Sequence, residues 1–249
     1  MYDSATRRHA LAHLAAGRSL NSVSRATGIS RAALRSWRDH GIEPVSRGAS
    51  PLRTDGAAYP YLLGLYLGDG HISGNARGVY ALRIACGTAW PGLIDACETA
   101  IRAVRPGGAV FRVPQQGCVQ VTSTSKQWPV VFPQHGPGRK HERAIALEEW
   151  QQEAVAAHPW DFVRGLVHSD GCRVTNWTER TVSGFRKRYE YPRYFFTNTS
   201  ADIRRLFTDA LDLVGVSWTE SRRRGPARNV SVARREAVAL MDLHVGPKY

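Results

Sequence analysis

Two aspartates stand out because each closes the same kind of segment. Leu62-Leu63-Gly64-Leu65-Tyr66-Leu67-Gly68-Asp69-Gly70 and Val163-Arg164-Gly165-Leu166-Val167-His168-Ser169-Asp170-Gly171 both read as an apolar helix with small residues four apart, then aspartate, then glycine. Residues four apart share a helix face, so Gly64 with Gly68, and Gly165 with Ser169, offer surfaces on which two helices can close. Closed that way, the helices bring Asp69 and Asp170 together at their C-terminal ends, where the helix dipoles are also negative. Two carboxylates in that position form a hard-oxygen site suited to Mg²⁺ or another divalent cation, with Gly68 and Ser169 as adjoining members. A metal held there activates water and stabilises a leaving oxygen. Without one, the carboxylates repel and one tends to keep a proton. Gly70 and Gly171 are expected to supply left-handed turns. The plainer reading is that the aspartates only close a domain seam. His168, one turn from the centre, reads as a packed seam residue rather than a catalyst.

The elements around the two segments repeat as well. After the first come strand patterns near His71–Ser73 and Tyr80–Cys86, a helix over Pro91–Val104, and strands near Ala109–Val113 and Val119–Thr122. After the second come strands near Arg173–Thr178 and Arg193–Asn198, a helix over Ser200–Val214, and strands near Val216–Glu220 and Asn229–Val232. The helices align at a constant offset, Leu93 with Ile203, Ala100 with Ala210 and Ile101 with Leu211. The second copy carries extra residues, mostly in its first hairpin, which holds Arg180, Arg186, Lys187 and Arg188. That hairpin reads as a basic finger on DNA or a solvated loop. Each copy ends in a short helix and a Gly-Pro tail, Gly136-Pro137-Gly138-Arg139-Lys140 and Gly246-Pro247-Lys248. The implied organisation is repeat 1 over 59–142, a connector helix over 143–157 and repeat 2 over 158–249.

The net charge is +13, from 34 Lys+Arg against 21 Asp+Glu over 249 residues. An imbalance of this size, mostly arginine, points to nucleic acid, because the guanidinium grips phosphate with a planar fork of donors. No segment has the length or apolarity to span a bilayer, and Met1–Arg8 does not read as a signal peptide. The expected place is the cytoplasm, associated with the nucleoid, with no membrane partner. Cys86, Cys97, Cys118 and Cys172 lack zinc-ligand or redox spacing, so neither a zinc site nor a disulfide is expected.

Residues 1–40 differ in character from the rest. Ala5–Leu14 has helical spacing and stops at Gly17. Ser19 caps a second helix to Thr27, and Gly28-Ile29-Ser30 turns into a third over Arg31–Asp39. Leu20, Val23, Ile29, Leu34 and Trp37 form the expected small core. This resembles the helix-turn-helix of resolvases and transposases, which implies that the third helix offers Arg31, Arg35, Ser36 and Arg38 to the major groove. Residues 41–58, rich in Gly, Pro and Ser, read as a linker.

With both repeats in view, the chain resembles the LAGLIDADG homing endonucleases in their single-chain, two-motif form over about residues 59–249. The motif copies depart from the family pattern at Leu67 and His168, positions that are often acidic, but keep both aspartates. The resemblance implies an α+β fold: two αββαββα repeats forming a pseudo-twofold saddle, preceded by the small all-α helix-turn-helix domain. It implies a monomer that cuts both strands of a specific double-stranded DNA, with Asp69 and Asp170 as shared catalytic metal ligands and Mg²⁺ or a related cation as cofactor. Strand residues facing the major groove would include Arg77, Arg83, Arg112, Gln115, Gln116, Arg173, Asn176, Arg193, Arg222, Arg223, Arg224 and Arg228. A basic residue near the end of each repeat's last strand completes the centre, here Lys126 and Arg234 or Arg235. No splicing ends are evident, so the nuclease would be free-standing. The alternative is a transcriptional regulator that no longer cleaves. Some actinobacterial sporulation regulators resemble this pairing of scaffold and helix-turn-helix, and the Ala- and Arg-rich, Lys-poor composition fits a high-GC genome.

Overall fold

The computed structural model describes residues 2–40, 51–75, 77–222 and 227–249. It divides into two compact units, Met1–Ser50 and Pro51–Tyr249.

The first unit holds α1 (Ser4–Ala15), α2 (Leu20–Thr27) and α3 (Arg31–His40). Ala10, Val23, Ile29 and Leu34 are buried at its centre, with Leu14, Leu20 and Trp37 packed against them. Local chemistry fixes the turns. Ser19 Oγ accepts from Ser22 N at 3.2 Å, Ser30 Oγ accepts from Ala33 N at 3.2 Å, and Gly28 adopts φ +69° between them. The left-handed φ at Gly28 is the reason glycine ends α2.

The second unit contains α4 (Ala58–Asp69), β1 (Gly70–Gly74), β2 (Tyr80–Gly87), α5 (Pro91–Val104), β3 (Val110–Gln115), β4 (Cys118–Ser125) and α6 (Trp128–Val131). After α7 (Glu149–Ala157) the same order recurs: α8 (Pro159–Asp170), β5 (Gly171–Val182), β6 (Phe185–Asn198), α9 (Ala201–Leu213), β7 (Thr219–Arg222), β8 (Arg228–Val232) and α10 (Arg235–His244). Each repeat is therefore αββαββα. Its sheet is antiparallel with order β1-β2-β4-β3 in the first copy and β5-β6-β8-β7 in the second. The connector is shorter than the sequence suggests, helical from Glu149. The larger unit begins before residue 59: Leu52 packs against its core and Arg53 N donates to Val104 O at 2.8 Å.

One continuous core joins the repeats. On the helix side of the sheets it takes Leu82, Ile84 and Cys86 from β2, Tyr194 and Phe196 from β6, and the aligned pairs Leu93/Ile203, Ala100/Ala210 and Ile101/Leu211. Strand side chains alternate faces, so this burial leaves the intervening residues on an open face. The repeats differ in their first hairpin. Five residue pairs join β1 to β2, while twelve join β5 to β6, closed by Ser183 and Gly184 at φ 51° and 79°. The four cysteines are free.

Candidate active site

Helices α4 and α8 form the seam, and their closeness follows from the residues on it. A Cβ on Gly64 would stand 2.7 Å from both Leu166 N and Phe162 O, and a Cβ on Gly165 would stand 3.0 Å from Gly64 Cα. These are backbone atoms, which cannot rotate away. At the C-terminal end Gly68 abuts the Ser169 side chain, whose Oγ donates back to Leu166 O at 2.9 Å. The four small residues singled out from the sequence are thus the four on the contact line.

Gly70 and Gly171 do their work differently from the expectation. Both are extended, at φ −88° and −102°, so no left-handed turn is involved. Glycine is required by space instead. A Cβ at Gly70 would run into Tyr66, and one at Gly171 would stand 2.7 Å from Val167 Cα. Helix and strand meet in a corner too tight for a side chain, and the aspartate sits at its apex.

Asp69 and Asp170 meet where the two helices end, in a cleft of about 390 Å³ lined by Gly68, Gly70, Lys140 and Asn198 among others. Burial, and then the charge of Asp170, pushes the Asp69 carboxyl up to about 6. Burial also raises Asp170, against an opposing hydrogen bond from Asn198 Nδ2 to its Oδ2 at 2.6 Å. Burial is the main cause for both, and the neighbouring carboxylate adds to it at Asp69.

Two lysines face this pair. Lys140 Nζ donates to Tyr66 O, to Leu67 O at 3.0 Å and to Gly68 O at 3.1 Å, closing the C-terminus of α4. Lys248 Nζ donates to Ser169 O at 2.6 Å, closing α8. Burial lowers both, Lys140 to about 8, while Asp69 and Asp170 pull each back up. Arg143 braces the loop that carries Lys140, its Nη2 donating to Gln134 O at 2.7 Å. Of the basic residues expected near the centre, Lys126, Arg234 and Arg235 are exposed where α6 and α10 begin, while Lys140 and Lys248 were not singled out from the sequence. The signal was present in the matched Gly-Pro tails, each ending on lysine, with a left-handed glycine at Gly138 and Gly246.

Among the described residues no group of three or more His, Cys, Asp or Glu side chains could hold a metal. The donor set still fits Mg²⁺. That ion keeps several waters and takes one or two carboxylates together with substrate phosphate oxygens, rather than a complete protein cage.

His168 is packed, 2% exposed, with Nδ1 3.0 Å from the Tyr61 hydroxyl. Burial holds it down to about 4.

The expected DNA contacts separate by face. Arg83 on β2, and Asn176 and Arg193 on β5 and β6, alternate with core residues and lie on the open face. Arg112 and Arg173 point the other way. Arg112 Nε and Nη2 donate to Glu98 at 2.6 Å and Asp95 at 2.7 Å on α5, and Arg173 takes both oxygens of Asp242 on α10 at 2.6 and 2.8 Å. Arg222 and Arg228 share the register of Glu220, which bonds Arg204 of α9 at 2.9 Å, and so also lie helix-side. Gln115 pairs with Gln120 on the open face, while Arg77 and Gln116 occupy turns. Arg223 and Arg224 lie outside the described residues. In the first unit, Arg31, Arg35 and Arg38 line one groove with Arg18 and Asn21, and Ser36 is on the same helix. Missed from the sequence were Phe111 and Val113, exposed on the open face of β3.

No family model matches the sequence, and a search of curated proteins finds no match. Among solved structures, the chain is similar to the homing endonuclease I-DmoI in complex with DNA and Mn. The identity is 14% and the TM-score 0.51, covering 79% of this chain and 99% of that one. Mesophilic variants of I-DmoI match at 14% identity and TM-score 0.51, covering 77% of this chain and 91% of theirs. The likeness takes in most of the larger unit and nearly all of I-DmoI. With its paired seam helices and twice-repeated αββαββα order, the chain has the fold of the LAGLIDADG homing endonucleases.

Proposed function

We propose that this protein binds a specific double-stranded DNA sequence on the open faces of its two sheets and cuts both strands in a divalent-cation-dependent reaction, most simply with Mg²⁺. The observation that carries the reading is the acidic pair flanked by one half-buried lysine per repeat. Asp69 and Asp170 would hold the cation with the Gly68 and Ser169 carbonyls beside them, and the cation would supply a nucleophilic water and charge neutralisation. Lys140 and Lys248 have two roles here. They fix the carbonyl ends of the seam helices, and they present an ammonium to the excess negative charge that builds on the scissile phosphate. The helix-turn-helix unit would add a second DNA contact, with Arg31, Arg35 and Arg38 as its basic edge. The protein would act as a monomer, because one chain already supplies both halves of the centre.

The test is to incubate the protein with a randomised DNA library in Mg²⁺ and in Ca²⁺ and to sequence the ends produced. New ends at one sequence in Mg²⁺, lost in Asp69→Asn while binding persists, are expected. Binding without new ends in either ion would leave the non-cleaving regulator, the reading favoured by the helix-turn-helix unit.

A further inference from the structure

The β5–β6 hairpin is much longer than its counterpart in the first repeat, twelve residue pairs against five. Only Tyr194 to Asn198 of β6 pair with β8, so β5 and β6 run on as a free two-stranded finger from the Val174–Arg193 pair to the Val182–Phe185 pair. At about 3.3 Å per residue it projects on the order of 30 Å, close to one turn of a DNA duplex.

Its two faces differ in charge. Register puts Arg180, Lys187 and Arg193 on the face continuous with the open side of the sheet, and that face holds no carboxylate. Both finger acids are on the other face, each bound to an arginine: Glu179 to Arg186, and Glu190 to Arg188 at 2.7 Å. Two of the three open-face cations rest on aromatic rings, Arg193 between Tyr191 (5.4 Å) and Phe195 (5.6 Å), and Lys187 over Tyr189 at 5.5 Å. Rings under the cations limit the conformations they must give up on meeting phosphate. At the tip, Val182 and Phe185 are directly opposed on this same face, and Phe185 is 79% exposed. A phenylalanine that exposed, at the end of a cationic ladder, gains nothing from the folded chain.

We propose that the finger follows a DNA duplex away from the acidic centre, its ladder on phosphates, and inserts Phe185 with Val182 as a wedge between base pairs. This rests on the DNA-binding reading above. Side chains used this way unstack a base step and bend the duplex. Because the β1–β2 hairpin is too short to do the same, the distortion falls on one side of the pseudo-dyad.

The probe is a duplex selected by the wild-type protein from a randomised library, with 2-aminopurine placed at successive positions to report unstacking. Wild type is expected to give one bright position about a turn from the centre, on one side. Phe185→Ala should abolish it while weakening binding less than tenfold. Arg180→Gln with Lys187→Gln and Arg193→Gln should weaken binding more than tenfold at low salt and flatten its salt dependence, since phosphate contacts carry that dependence. Equal brightness in Phe185→Ala, or no bright position with wild type, overturns the wedge. Unchanged binding in the triple variant overturns the ladder. If selection enriches no duplex at all, the DNA-binding reading itself has failed, which these variants cannot mimic.

Discussion

Replacing Gly165 with alanine tests whether the seam is held as closely as the geometry implies. The new methyl would meet the Tyr61 carbonyl oxygen and stand 3.0 Å from Gly64 Cα and 3.1 Å from Leu65 N. All three are backbone atoms of a buried helix, so relief requires α4 and α8 to separate by a sizeable fraction of an ångström. Overpacking of this kind costs about 1–3 kcal/mol, and a gap approaching 1 Å forfeits up to half of each contact along the line. Opposing this, alanine favours helix over glycine by about 1 kcal/mol. The net expectation is a loss of roughly 1–2 kcal/mol, or about 2–8 °C in Tm for a unit of this size. Urea unfolding of the full chain measures it directly. The same separation moves Asp69 from Asp170, so cutting should fall more steeply than stability. A variant as stable as wild type, or more stable by the propensity difference, would refute a close Gly64–Gly165 contact and the convergence of the aspartates with it.

Two further outcomes follow from the buried charges. His168 is held neutral, down to about 4, chiefly by burial, with Arg164 and Lys248 acting in the same sense. A histidine whose folded value lies below its unfolded one contributes stability above about pH 6.5, and loses it as pH falls from there toward 4. The difference amounts to about 3 kcal/mol, so denaturant midpoints should drop across that window in wild type and flatten in His168→Phe; parallel curves would count against it. At the active centre, Lys140→Met should slow cutting of one strand by about a hundredfold, so that nicked duplex accumulates. Lys140→Arg should recover part of the rate, and wild-type cutting of both strands by Lys140→Met would remove the lysine from the chemistry.

The order of elements was legible because both repeats obey local rules. Alternating apolar residues mark the strands, the helices match position for position, and the small residues of the seam sit four apart. The legible part of the centre was likewise the part written in consecutive residues, Gly64 to Asp69 and Gly165 to Asp170. The lysines were harder. Lys140 reaches carbonyls more than 70 residues earlier in the chain, and only the matched Gly-Pro tails pointed to it. The glycines after the aspartates were identified for the wrong reason, since sequence shows that a side chain is absent but not whether torsion or space requires it. Gln134 and Gln151, which bond each other at 2.6 Å and reach the buried Tyr59 and the Ala146 carbonyl, gave no local sign at all.

The arginines show why composition fixes a partner class before it fixes a surface. A net charge of +13 says that a polyanion is expected but not where. The folded chain answers by pairing. Arg112, Arg173 and Arg204 find Asp95, Glu98, Asp242 and Glu220, partners far away in sequence, on the helix side of the sheets. Every such pair spends a carboxylate on the face that a duplex cannot reach. Few acids are then left to oppose Arg83, Arg193 and Lys187, and the open face keeps the excess. An exposed ion pair such as Arg112–Asp95 adds little stability, so it matters less for holding the fold than for deciding which face stays positive. Breaking it, as in Asp95→Asn, should therefore leave Tm nearly unchanged while shifting charge toward the helix side and raising the share of DNA binding that is insensitive to sequence.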